Sequence, residues 1–145
     1  MKLNTVNHIH MQNILYKTTN KFSAKELEEL FLSVEWSSGN YPDKLVIAME
    51  NSSTVFSAWD GDKLVGLINA IDDGIMTAYI HYLLVMPEYQ KCGIGKKLLN
   101  MVTEKYKDYL RILLIAYDKE IAFYERHGFK AGEEKTPMFI TTLWT

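Results

Sequence analysis

The sequence predicts an α/β domain of the α+β type, with a mixed, mostly antiparallel sheet flanked by helices. Three observations point there. Three strand-like segments follow one another across the turns Asp60-Gly61-Asp62 and Asp72-Asp73-Gly74, the pattern of an antiparallel meander. The period then changes to three and four over Ile94, Leu98, Leu99, Val102 and Tyr106, which marks an amphipathic helix. A continuous apolar run, Ile112-Leu113-Leu114-Ile115-Ala116, follows and has strand length, so strand, helix and strand make a βαβ crossover.

The elements read in order as follows. Ile14-Leu15-Tyr16 is a short strand. Ser23-Ala24-Lys25-Glu26 is a capping box, and Leu27, Leu30, Phe31 and Val34 then give one apolar helical face. A second helix starts near Pro42 and runs through Leu45 and Met49 towards Glu50. Thr54 to Trp59, Lys63 to Ile68 and Met76 to Met86 are the three meander strands, the last ended by Pro87. The long helix and the apolar strand follow, and the strand reads as covered on both faces. Lys119 to His127 is a short helix stopped by Gly128. Phe129 and then Met138 to Trp144 give two last strands. The predicted order is β-α-α-β-β-β-α-β-α-β-β.

The chain has 145 residues, 48% hydrophobic and 23% charged, which fits one domain over residues 1–145 with a core that needs no staples. No repeat, low-complexity tract or linker divides it. Sixteen basic against 18 acidic residues give a formal charge of −2, which excludes a generally basic nucleic-acid binder. One cysteine, Cys92, excludes an intramolecular disulfide and a cysteine-based zinc cage. No spacing of histidines suggests a metal. Residues 1–12 lack an apolar core of signal-peptide length, and no stretch approaches the roughly 20 apolar residues of a membrane span. A cytoplasmic location with no membrane partner is the expectation.

Gln90-Lys91-Cys92-Gly93-Ile94-Gly95-Lys96-Lys97 lies between a strand and a helix. Two glycines permit unusual backbone and close approach of a ligand. The first amides of the following helix lack internal partners and carry the positive end of its dipole, a setting that binds phosphates. Lys91, Lys96 and Lys97 add cations, and a diphosphate suits such a loop. A plain strand–helix turn with solvated lysines fits the glycines equally well. Neither GxxxxGK[ST] nor GxGxxG is present.

The stretch Leu83-Leu84-Val85-Met86-Pro87-Glu88-Tyr89-Gln90-Lys91-Cys92-Gly93-Ile94-Gly95-Lys96-Lys97-Leu98-Leu99 resembles the acetyl-coenzyme A signature of the GNAT superfamily of N-acetyltransferases. That signature is a hydrophobic strand, V-x-P, [QR]-x-x-G-x-[GA] and a helix. Ile121-Ala122-Phe123-Tyr124-Glu125-Arg126-His127-Gly128-Phe129 resembles the second motif of that family, A-x-x-F-Y-E-K-x-G-F, in the family's order and separation. The resemblance spans the chain from about Thr54 to its end. The segment from Trp36 through Tyr79 is also similar to small bacterial and plastid-type members that acetylate amines.

The resemblance implies an enzyme that moves an acetyl group directly from acetyl-coenzyme A to a primary amine, of a small molecule in the first instance, through a tetrahedral intermediate. It implies that Leu83, Leu84 and Val85 face the pantetheine arm and acetyl group, with one of their amides holding the developing oxyanion. Gln90, Lys91, Cys92, Gly93, Ile94, Gly95 and Lys96 would wrap the diphosphate through amides, with lysine cations adding to the grip. Tyr124 would be the general acid for the leaving thiolate, since a phenol of pKa about 10 is a workable donor. Read without the motif, Tyr124 is a core tyrosine beside Phe123 and Phe129. The family's frequent asparagine seven residues earlier is here Tyr117, with Asp118 beside it. Homodimers are compatible with the resemblance.

An alkyl amine is protonated near neutral pH, so a base is expected. His81 is the first candidate, on the strand entering the site; aralkylamine N-acetyltransferases carry a histidine at a similar position. A histidine satisfied on a sheet face is the other reading. Tyr79 shares its face by alternation and offers a water relay. Asp72, Asp73 and Glu50 are weaker candidates, the aspartates being turn residues. His8, His10 and His127 read as surface histidines. Trp36, Tyr41 and Trp144 line the acceptor pocket or belong to the core. Cys92 is a spectator, because direct transfer needs no thiol nucleophile. The alternatives are a protein N-terminal or lysine acetyltransferase, whose site would be an open groove, and a non-catalytic acyl-coenzyme A-binding module.

Overall fold

The structure, a computed structural model, describes residues 13–145. His8, His10 and the reading of residues 1–12 as leaderless lie outside the described residues. Five strands form one sheet in the order β1-β2-β3-β4-β5. They are β1 (Ile14–Lys17), β2 (Thr54–Asp60), β3 (Lys63–Asp72), β4 (Thr77–Val85) and β5 (Arg111–Leu114). All neighbours are antiparallel except β4 and β5, which run parallel. Four helices accompany them: α1 (Ala24–Ser33), α2 (Pro42–Asn51), α3 (Ile94–Lys105) and α4 (Ile121–Glu125). The predicted fold class and the first nine elements are therefore present.

Local chemistry explains most boundaries. Ser23 Oγ accepts from the Glu26 amide at 3.1 Å, and the Ser23 amide donates to Glu26 Oε1 at 3.3 Å, so the capping box that opens α1 is closed. Pro42 begins α2. Asp73 ends the β3–β4 turn by accepting the amides of Ile75, Met76 and Thr77 on one carboxylate oxygen. Asp72 caps the Gly74 amide and accepts hydrogen bonds from the hydroxyls of Tyr106 and Tyr109. Both aspartates are spent on structure.

The core lies around β3, buried at every position from Leu64 to Ala70. Burial on successive residues means both faces are covered. A Cβ placed on Gly66 would sit 3.2 Å from Ile94 and 3.4 Å from Leu98. The missing side chain lets the start of α3 lie close against β3, and that sets where the loop before α3 stands. Among the described residues no helix is long and apolar enough to cross a membrane.

Two expectations fail. No strand forms in residues 126–145, so the two last predicted strands are absent. Met138 to Trp144 is rich in the apolar and β-branched residues of a strand, but competing contacts win. Pro137 cannot donate to a ladder. Thr141 Oγ1 closes a local turn with the amide and carbonyl of Leu143, at 2.8 and 2.6 Å. Phe139 and Trp144 pair with each other, ring centroids 5.2 Å apart, instead of packing on β5. Consequently β5 is an edge strand with Leu113 exposed, not a strand covered on both faces.

Candidate active site

The site begins where β4 and β5 part. They pair from Thr77 and Arg111 to Ile80 and Leu114, and there the pairing stops although β4 continues to Val85. The cause lies in β4. Asn69 of β3 stands opposite Tyr82, while its neighbour Ala70 stands opposite Ile80, so His81 is the extra residue of a β-bulge. Buried Asn69 fixes the bulge from inside. Its Oδ1 accepts the Tyr82 amide at 2.9 Å, and its Nδ2 donates to Ser52 Oγ at 3.0 Å.

The bulge turns adjacent side chains to one side. The His81 ring stacks on Tyr82 at 3.9 Å and lies 5.7 Å from Tyr79. Tyr82 is held by Ser38, hydroxyl to hydroxyl at 2.9 Å, and by an edge contact with Phe31. His81 keeps substantial solvent exposure, yet the crowded rings desolvate it and pull its pKa below the ordinary 6.5. Among the described residues no hydrogen bond engages its ring nitrogens.

Beyond the bulge, strand alternation sorts the amides. The amides of Tyr82 and Met86 bond towards β3, to Asn69 and to the Val65 carbonyl at 2.8 Å. The Leu84 amide shares that direction, so Leu83 and Val85 turn theirs into the gap beside β5. The Val85 carbonyl accepts from Gln90 Nε2 at 2.9 Å, which ties the following loop to the strand. That loop turns through two left-handed residues, Lys91 (φ 62°) and Gly93 (φ 86°), and Gly93 caps α3 without a side-chain partner. Among the described residues, no hydrogen bond engages the amides from Lys91 to Lys96.

Side chains in the loop divide clearly. Ile94 is buried, so only its amide is available. Lys91 and Lys96 are exposed beside the free amides. Lys97 instead leans over the Tyr16 ring, 5.8 Å from its centroid. Cys92 is a half-buried free thiol. Tyr89 anchors the loop's entrance by donating to Asp60 Oδ2 at 2.6 Å.

A cavity of about 200 Å³ opens at the divergence. The bulged strand supplies Tyr79, His81 and Tyr82, and the chain beyond β5 supplies Ile115, Ala116 and Tyr117. Trp36 and Ser38 close it from the connection between α1 and α2, and Phe139, Leu143, Trp144 and Thr145 from the far end of the chain. Among the described residues, no Asp, Glu, Lys or Arg side chain lines it.

Tyr124 stands on α4 between Phe123 and Phe129, ring centroids 5.1 and 5.8 Å away. Burial, with the Glu120 charge, pushes its pKa up to about 12. Among the described residues its hydroxyl makes no hydrogen bond. A Cβ on Gly95 would meet the Phe123 ring at 3.8 Å, so α4 lies against the start of α3.

The structure thus gathers His81, Tyr79, Trp36 and Trp144 around one cavity and leaves Tyr41 outside it, half exposed beneath Lys44. Glu50 also lies elsewhere, paired with Lys21 at 3.4 Å. His127 is half-buried, its Nδ1 2.7 Å from the Phe123 carbonyl, rather than a plain surface histidine. Sequence reasoning missed Tyr82, Ser38 and Asn69. The signal for Asn69 was there: an amide side chain inside the apolar run Leu67-Ile68-Asn69-Ala70 must find partners in the interior.

Comparison with known proteins identifies the family and the fold. The family described as "Acetyltransferase (GNAT) family" matches residues 21–129. The uncharacterized N-acetyltransferase ycf52 of Pyropia yezoensis is 28% identical over 86% of this chain and 75% of its own. The uncharacterized N-acetyltransferase ycf52-like protein of Prochlorococcus marinus is 33% identical over 72% of this chain, which spans 61% of that relative. Among solved structures, a GNAT-family acetyltransferase from Streptococcus pneumoniae superposes with a TM-score of 0.76 at 27% identity, over 89% of this chain and 98% of the other.

Proposed function

This chain belongs to the GNAT family of acetyltransferases, and from that premise we propose that it transfers an acetyl group from acetyl-coenzyme A directly to the primary amine of a small molecule. The cavity where β4 and β5 part carries the proposal. It is small, aromatic and walled by four segments of chain, dimensions that suit a compact acceptor.

The residues present fit the acyl donor. The free amides from Lys91 to Lys96, the dipole of α3 and two exposed lysines suit a diphosphate. Acetyl-coenzyme A supplies the activated thioester. The gap-facing amides of Leu83 and Val85 suit the arm, and one of them donates to the carbonyl oxygen as it gains charge. The Leu84 amide is spent on β3, so its role is packing. His81 accepts the proton that the amine gives up as its nitrogen bonds the acetyl carbon. As the carbon–sulfur bond breaks, Tyr124 offers its hydroxyl proton to the sulfur.

The test mixes purified protein and acetyl-coenzyme A with a panel of small amines and a lysine-containing peptide, and follows free thiol. Release with small amines is the expected result. Release with the peptide alone would move the assignment to protein acetylation. Tight donor binding without release on any acceptor would favour a binding module.

A further inference from the structure

One serine in the connection between α1 and α2 ties down a ring of the site. Ser38 is buried, and its Oγ lies 2.7 Å from the Thr145 carbonyl and 2.9 Å from the Tyr82 hydroxyl. A carbonyl oxygen only accepts, and a serine hydroxyl has one proton to give. That proton goes to Thr145, because two oxygens 2.7 Å apart with no proton between them would repel. The Tyr82 hydroxyl therefore donates to Ser38, and the bond has a fixed direction. The Ser38 amide also donates to the Thr145 carbonyl, at 2.9 Å, so Ser38 is held by main chain and side chain together.

Two more rings fix Tyr82. Phe31, buried in α1, meets it edge to face with centroids 4.8 Å apart, and Trp36 lies 6.0 Å away. His81 rests on the ring so fixed, with centroids 3.9 Å and planes 20° apart. Tyr79 lies farther from His81, at 5.7 Å. With no hydrogen bond on the imidazole nitrogens among the described residues, the stack on Tyr82 is what orients the imidazole. The titratable groups that face it in the cavity are Tyr79 and Tyr82 of its own strand and Tyr117 beyond β5. Among the described residues, the connection between α1 and α2 and the far end of the chain bring no titratable side chain to the lining. A tyrosine face serves both proton states of its neighbour. It shelters the neutral imidazole from water, and its negative face attracts the imidazolium.

We propose that Tyr82, oriented by its hydrogen bond to Ser38, is the positioning residue of the base, and that the two hold the His81 imidazole in the cavity in the orientation that serves proton transfer. The inference rests on reading His81 as the base. It gives Ser38 a part in the reaction that acts through Tyr82, and it assigns no proton of the reaction to either residue.

The experiment titrates the His81 ring resonances by NMR in the full chain with coenzyme A bound, beside the pH profile of kcat with the best amine of the panel. The variants are Tyr82→Leu, Tyr82→Phe, Ser38→Ala and the last two combined. Tyr82→Leu removes the stack. The His81 pKa then rises towards 6.5 and the acid limb of kcat moves with it. At about pH 8, where the imidazole is neutral in every variant, kcat falls about tenfold. Tyr82→Phe and Ser38→Ala remove one bond from its two ends, so each moves both readouts the same way by less. Combined, they move them no further than either alone. Coenzyme A affinity stays at the parent value throughout. Tyr82→Phe is nearly isosteric and keeps the proposal open to test if the others fail to fold. An unchanged His81 titration in folded variants overturns the positioning role whatever kcat does, because a merely structural loss lowers kcat without moving that titration. Additive effects in the combined variant overturn the link through Ser38. A His81 titration that moves while the acid limb of kcat stays in place overturns instead the reading of His81 as the base.

Discussion

His81 and Tyr124 are tuned in opposite senses: the His81 shift keeps the proposed base neutral, whereas the Tyr124 shift keeps its proton on but makes it a weaker donor than an ordinary phenol. Stacked rings depress the His81 pKa below 6.5, so the imidazole is neutral at pH 7 and can accept a proton. A depressed pKa means that the base form is lost only as pH falls through that lower value. The acid limb of kcat should therefore lie below pH 6.5, and His81→Gln should abolish it while lowering kcat by about 10²-fold. A limb that survives in His81→Gln would assign it to another group. The same sign holds for stability, since burial favours the neutral ring and acid favours its exposure. Tyr124 differs from the matched donor expected of an ordinary phenol. At about 12 it keeps its proton throughout the working range, so no basic limb below about pH 11 should come from it. Tyr124→Phe should cost about 10²-fold in kcat and leave acetyl-coenzyme A affinity within about twofold. Because among the described residues that hydroxyl has no partner to orphan, the melting temperature should hardly move; a large drop would mark a structural role.

At the scale of elements, the site depends on one bulge and one loop, and they differ in how much of them is local. Asn69→Ala would leave the Tyr82 amide without its acceptor, at a cost of about 1–3 kcal/mol. It should also lower kcat by releasing His81, while donor affinity stays. A variant with parental kcat would mean that the bulge forms without Asn69. The loop is tested by a pair of substitutions. A Cβ on Gly93 meets nothing within 4 Å, so Gly93→Ala brings only the strain of its left-handed backbone, about 1 kcal/mol. Gly93→Glu adds a carboxylate beside the free amides and should abolish donor binding that Gly93→Ala largely keeps; equal affinities in calorimetric titration would remove the diphosphate from this loop. The loop was legible in the sequence as a turn before a helix start, advertised by its glycines. Capping box, turns and helix faces were legible for the same reason, being settled within a few residues. The bulge was not, because it depends on Asn69 facing Tyr82, 13 positions away. The last two strands were misread because the apolar and β-branched content of Met138 to Trp144 looks the same whether the partner is β5 or Thr141's own turn.

For the whole molecule, fold and site are joined through α3. Gly66 lets that helix lie close on β3, the buried Ile94 side chain roots its first turn in the core, and the free amides stand directly above. A ligand held by those amides must therefore stabilise the whole chain, not the loop alone. Linkage sets the scale: at 100 times its Kd, coenzyme A should add about 2.7 kcal/mol. For a domain of this length that is a rise in melting temperature of roughly 6–10 °C. The chain's formal charge is only −2, so any diphosphate grip must come from the local amides and from Lys91 and Lys96. Raising salt should shrink the shift by screening the exposed lysines, without erasing the contribution of the amides. Variants then separate by which part they touch. His81→Gln and Tyr124→Phe should keep the full shift, because they act on protons after the donor is held. Gly93→Glu should lose it while still melting cooperatively. A full shift in Gly93→Glu would place the coenzyme away from α3, and the roles drawn for Leu83, Val85, His81 and Tyr124 would fall with it.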